Sequence, residues 1–188
     1  MRTLIGGVGY SYLRDGSLGP LVIAALAREV WPDNVVVEDL SYGPIAVMQR
    51  LQEADPRFDR LVLVAAVRRG RTPGTVAVYR WDGQLPDAEE IQARVAEAVT
   101  GVISLDNLLV VVGFFNALPA DVSVVEVEPE DEGWGEGLSA AIETARGDVT
   151  ETVRGLALNG WAPHADGKLG PGMTGAPSLH ANIRSTRS

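Results

Sequence analysis

The chain has no cysteine among its 188 residues. Disulfides, thiolate nucleophiles and Cys-type zinc sites are thereby excluded. Histidine is almost as scarce: the two, His164 and His180, both fall near the C-terminus. Upstream of them no imidazole exists to serve as a metal ligand or general base, and a serine nucleophile has no histidine partner there. Positive charge is also in deficit, with 16 Lys and Arg against 25 Asp and Glu, a formal net charge of −9. An acidic surface repels phosphate backbones and attracts basic segments, so no nucleic acid is expected as a partner. No apolar run approaches the roughly 18 residues that a membrane-spanning helix needs. Met1-Arg2-Thr3-Leu4-Ile5 leads straight into a strand-like run, without the apolar stretch and cleavage site of a signal peptide. The expectation is a cytoplasmic protein.

What is present is ordinary for a globular fold: 46% apolar and 22% charged residues, enough for one domain with a core of its own. Leu4–Gly9 reads as a buried strand ending in glycines. Leu18–Val30 carries apolar residues at helical spacing, with Ser17 as a candidate N-cap. Val35–Val37 reads as a strand and Ile45–Glu53 as a short helix. Leu61–Val67 is continuously apolar, as in a central strand of a parallel sheet. Thr75–Tyr79 reads as a further, hairpin-like strand, and Pro86-Asp87 opens a helix to about Val99. Leu105–Phe115 is too apolar for periodicity to decide, and its length favours a buried helix over a strand. Val122–Val127 is the last strand and Leu138–Arg146 the last helix. Strands alternating with helices predict a three-layer α/β sandwich: a mainly parallel, twisted sheet flanked by helices. The expected domain spans 1–156. Residues 157–188, rich in Gly, Pro, Ser and Asn, read as a flexible tail.

Several constellations carry possible chemistry. Gly6-Gly7-Val8-Gly9 sits where a first βα turn cradles phosphate, but a dinucleotide fingerprint would place its third glycine at Tyr12. A small-molecule or nucleotide binder stays an alternative. Asp15 follows the first strand, where it could bind a metal, position a loop or cap a helix. Glu38-Asp39 ends the second strand, and two adjacent residues of a strand point to opposite faces. The loop Arg68-Arg69-Gly70-Arg71 is basic in an acidic chain and could recognise a carboxylate or phosphate, or simply be solvated. Asp131 and Glu132 suit the positive end of the last helix, and Trp134 reads equally as a partner anchor or a lid.

Gly7-Val8-Gly9-Tyr10-Ser11-Tyr12-Leu13-Arg14-Asp15-Gly16-Ser17-Leu18-Gly19 resembles the N-terminal signature of the hydrogenase maturation proteases, roughly G-x-G-N, four variable residues, D-[DE]-x-x-G. Ser41-Tyr42-Gly43-Pro44 falls at the family's D-G-G-T turn. Leu61–Val67 followed by Pro73-Gly74-Thr75 resembles its apolar strand, loop and P-G-T. Leu105–Pro119 and Val125–Pro129 match later segments in spacing, so the resemblance covers about residues 2–150. It implies the fold of that family, which is phosphorylase-like. It also implies a link to the family's activity, removal of a C-terminal extension from the large subunit of nickel-iron hydrogenase. Members recognise nickel through two carboxylates and a histidine. The resemblance matches those positions to Gly16, Ala65 and Gly101, and the signature Asn to Tyr10. Nickel needs imidazole, carboxylate or thiolate donors, and Gly and Ala supply none. The implied protein is therefore a peptidase-like binding or accessory factor without peptidase activity, metal or cofactor. Its expected partner is a hydrogenase large-subunit precursor or another maturation factor. The expected partner-binding cleft is lined by Tyr10, Tyr12, Asp15, Tyr42, Arg68, Arg69 and Arg71. The alternative is an active endopeptidase with a relocated nickel site, for which Asp15, Asp39 and Asp106 are candidate ligands.

Overall fold

A computed structural model describes residues 1–161 together with the backbone of the strand pair 173–174. Apolar runs become the central strands. β1 (Thr3–Val8) and β3 (Arg60–Ala66) lie side by side in parallel, and their residues are buried almost without exception. β2 (Val35–Asp39) adds in parallel to the outer side of β1, and β5 (Asp121–Val127) in parallel to β3. β4 (Val76–Arg80) runs antiparallel to β5, and β6 (Met173–Thr174) pairs with β4, giving the order β2-β1-β3-β5-β4-β6. The strand at 75–79 was expected as a hairpin partner. It instead reaches past its predecessor β3 to the far side of β5.

Helices cover both faces, as strands buried on both sides require. α1 (Leu18–Leu26) and α5 (Ala140–Asn159) cover one face, where Val22, Leu26, Ile142, Val149 and Val153 pack against Ile5, Val62, Val64 and Val125. On the other face α2 (Pro44–Gln52) and α4 (Leu105–Phe114) place Val47, Leu51, Leu108 and Val112 against Leu4, Leu61, Leu63 and Val124. α3 (Ala88–Val99) packs on α4. The three-layer α/β sandwich read from the sequence is the observed architecture.

Two expected boundaries need correction. α5 continues thirteen residues beyond Arg146, because Val149, Val153 and Leu156 repeat the apolar stripe at helical spacing and are buried. Gly147 and Gly155 lower helix propensity without breaking the turn. A domain limit at 156 thus falls inside α5, where Ala157 is also buried; the rest of the expected tail lies largely outside the described residues. Ser17 stands before α1 but makes no side-chain cap, since its Oγ donates to the carbonyl of Arg14 at 2.6 Å.

The approach of α1 to the sheet depends on glycine. A Cβ on Gly19 would sit 2.5 Å from the carbonyl oxygen of Val8 and 2.8 Å from that of Val64, both backbone atoms that cannot swing away. Gly19→Ala is therefore expected to push α1 outward and destabilise the fold by about 2 kcal/mol, within the range for overpacking. Urea unfolding would read this as a lowered midpoint at constant slope.

Candidate functional site at the carboxyl edge of the sheet

In open α/β sheets, binding sites form beyond the carboxyl ends of the parallel strands. Here that edge gathers the loops after β1, β2, β3 and β5, with the start of α4. The loop after β1 first turns through a 3-10 segment, Arg14–Ser17. Asp15 lies within it, fully buried. Its Oδ2 accepts the backbone N–H groups of Glu130 and Asp131 at 2.8 and 2.9 Å, and its Oδ1 that of Ser139 at 2.7 Å. Burial pushes its carboxyl pKa up, but these N–H donors outweigh that and hold it below the ordinary 3.8. Asp15 thus pins the loop after β5 and was misplaced as a lining of the cleft. Reciprocal backbone bonds reinforce the pin: Arg14 N–H to Gly135 O at 3.1 Å and Gly135 N–H to Tyr12 O at 2.9 Å.

The stitching brings Tyr12 and Trp134 into a stack, with centroids 6.0 Å apart and planes 26° apart. Both rings are exposed, Trp134 by 80%. Tyr10 is exposed by 38%, and its hydroxyl accepts the Ile103 N–H at 2.7 Å, hooking the loop after β1 onto the turn before α4. Tyr42 is also exposed; burial of its hydroxyl end and the Glu38 carboxylate, which accepts that O–H at 3.1 Å, push its pKa up to about 12. Arg68 lies at the surface in a pair with Glu132 at 2.8 Å. Exposed pairs of this kind contribute little to stability.

Arg69 behaves differently from the solvated loop residue suggested by the sequence. Its side chain is 6% exposed. Nη1 and Nη2 donate to the two oxygens of Asp106 at 2.8 and 2.6 Å, and Nη2 also donates to Glu126 Oε1 at 2.7 Å. Burial alone would lower the guanidinium pKa, but the bonds to Asp106 and Glu126 reverse this and raise it. The guanidinium is charged at any pH the protein meets. Arg71 Nη2 reaches Glu126 Oε2 at 3.2 Å, and Tyr79 donates to Oε1 at 2.8 Å. Glu128, also buried, accepts the N–H groups of Arg69 and Gly70 at 2.8 and 3.0 Å and fixes the loop that carries both arginines. Arg69 and Arg71 are therefore largely buried members of a polar cluster, where the sequence reading had them lining an open cleft. Glu126, Glu128 and Tyr79 were not anticipated. The signal was present, because a glutamate inside the apolar run Val124-Val125-Glu126-Val127 requires a buried counter-charge.

The register relates this cluster to the positions matched by resemblance. Ala65 is paired with Val8 on one side and with Glu126 on the other, and Glu126 with Ala77. Partners in register share a face, so Ala65 lies beside Glu126 on the side covered by α4. It is packed among aliphatic groups. Gly16 faces more open space, where a Cβ would meet only the Leu13 Cβ at 3.2 Å. Gly101 has φ +86°, a left-handed conformation costly for a side-chain-bearing residue, and belongs to the turn hooked by Tyr10. Asp39 accepts the Ser41 N–H at 3.0 Å and forms no metal-holding group with Asp15 and Asp106. Among the described residues no three His, Cys, Asp or Glu side chains are grouped to hold a metal ion. Gly16, Ala65 and Gly101 carry no side-chain donor for the nickel that the resemblance implies. His164 and His180 lie outside the described residues.

No protein-family model and no curated protein sequence matches the chain. Solved structures do. The hydrogenase maturating endopeptidase HybD of E. coli superposes with a TM-score of 0.62 and 25% identity over 83% of this chain and 92% of its own. An E. coli endopeptidase solved in solution gives 0.62 and 26% over 81% and 90%. The hydrogenase 2 maturation peptidase of a Thaumarchaeota archaeon gives 0.60 and 22% over 86% and 100%. In fold, the chain is similar to the hydrogenase maturation proteases. It matches the maturation proteases through nearly their whole length. Among the described residues no helix is long and apolar enough to cross a membrane.

Proposed function

We propose that the chain acts in hydrogenase maturation as a binding factor for the large-subunit precursor, without cleaving it. The fold supports the pathway, since the structures it resembles are hydrogenase maturation proteases. The observation that carries the non-cleaving part is the filling of the carboxyl edge. Gly16, Ala65 and Gly101 offer no donor, and the nearby carboxylates of Asp106 and Glu126 are occupied by Arg69. Around that closed edge the exposed rings of Tyr10, Tyr12, Tyr42 and Trp134 supply amphipathic contact surface, the composition that anchors peptide segments.

Co-expression of the tagged chain with its own organism's precursor, followed by pull-down and intact mass, tests the reading. The expected result is precursor recovered at full length. Precursor shortened only in the presence of the chain sinks the non-cleaving part. Within the same assay Trp134→Ala is expected to weaken capture about tenfold, the scale of an aromatic anchor. The fold would be kept, because Trp134 is exposed and stacks only on Tyr12.

A further inference from the structure

Asp106 and Glu126 come from elements remote in sequence, the first turn of α4 and the end of β5, yet they converge on one atom. Arg69 Nη2 lies 2.6 Å from Asp106 Oδ1 and 2.7 Å from Glu126 Oε1, so a single point is within bonding reach of both carboxylates. All three side chains are removed from water, with exposures of 6% for Arg69, 15% for Asp106 and 1% for Glu126. Two carboxylates brought together out of water need a cation between them if both are to stay ionised. Arg71 does not meet that need alone, because it reaches only Oε2 of Glu126 and leaves Asp106 untouched.

We propose that the Arg69 guanidinium is a built-in cation closing what would otherwise be a divalent-cation site made by Asp106 and Glu126. The donors facing Nη2 are all oxygens, which suits hard ions such as Ca²⁺ or Mn²⁺, whose oxygen ligands sit at about 2.0–2.6 Å. Glu128 fixes the backbone of the loop, so the guanidinium is held there by the fold itself. The polarity of the edge is thereby encoded in the chain and needs no ion from solution. This inference concerns the same edge as the proposed function but rests on these side chains alone; a chain that captured no precursor would leave it standing.

The test is Arg69→Met, which keeps the length of the stem and removes the charge. Thermal unfolding of the wild type is expected to be unmoved by Ca²⁺, Mn²⁺ or EDTA. Arg69→Met is expected to melt lower and to regain roughly 5–10 °C when Ca²⁺ or Mn²⁺ is in hundredfold excess over its dissociation constant, by mass action on the folded state. Adding Asp106→Asn is expected to abolish that response. An Arg69→Met protein indifferent to both ions, or a wild type that responds as strongly, overturns the proposal. Should Arg69→Met be unfolded when purified, refolding from urea reads the same quantity: helical circular dichroism recovered with Ca²⁺ or Mn²⁺ but not with K⁺ supports it, and failure with every cation overturns it.

Discussion

Glu126→Ala is expected to destabilise the protein by about 4 kcal/mol, the range for removing one partner of a buried ion pair. Glu126 accepts from Arg69, Arg71 and Tyr79 at once. Its loss leaves Arg71 without a charged partner and the Tyr79 hydroxyl buried without an acceptor. Asp106 would still hold Arg69, so the cluster loosens without dispersing. In a domain of this length the cost corresponds to a fall of roughly 10 °C in Tm. Glu126→Gln, which keeps the shape and one acceptor oxygen, should recover part of it. A Glu126→Ala protein melting within a degree or two of wild type would mean that the cluster is a solvated surface feature after all.

Asp15→Ala ranks next, at about 3 kcal/mol, since hydrogen bonds to a charged acceptor are among the stronger ones and three buried N–H donors lose theirs. The pH dependence separates this from simple loss of packing. The carboxyl pKa is depressed in the folded state relative to its ordinary 3.8. Its charge therefore contributes stability that is fully present above the unfolded value and lost as pH falls through the folded one. Measured by urea unfolding, the advantage of wild type over Asp15→Asn should be constant near neutrality and shrink below about pH 4. An advantage that does not change down to pH 3 would show that the carboxylate charge plays no part. Because Asp15 holds the loop of Trp134, Asp15→Ala should also loosen the Tyr12–Trp134 stack, read as a change in tryptophan emission.

Much of the fold was legible because hydrophobic burial writes a local pattern. The uninterrupted apolar runs of β1 and β3, the capping Asp87, and the length of α4 each belong to one stretch of chain. Strand order does not: nothing within Val76–Arg80 says that it pairs with β5 in place of β3. α5 was read only to Arg146, although the stripe of Val149, Val153 and Leu156 continues past it through Gly147 and Gly155. The site was hidden for the same reason as the strand order. Arg69 meets partners 37 and 57 positions away, and a basic loop with distant acidic partners reads as a solvated loop until the fold joins them. The exposed aromatics were easier, since Tyr10 and Tyr42 stand where the family resemblance leads one to expect other residues.

The conformation of Gly101 has a consequence for descent. If the positions matched to the maturation proteases once carried ligands, no single substitution leads back. A side chain at 101 must adopt φ +86°, where only glycine is comfortable. A carboxylate at 65 would enter an aliphatic packing site next to Glu126, adding like charge to like. Each step costs stability. Marginally stable proteins tolerate few such steps in series. Return to a ligand at positions 65 and 101 would thus need several destabilising changes in series, each requiring compensation elsewhere in the fold.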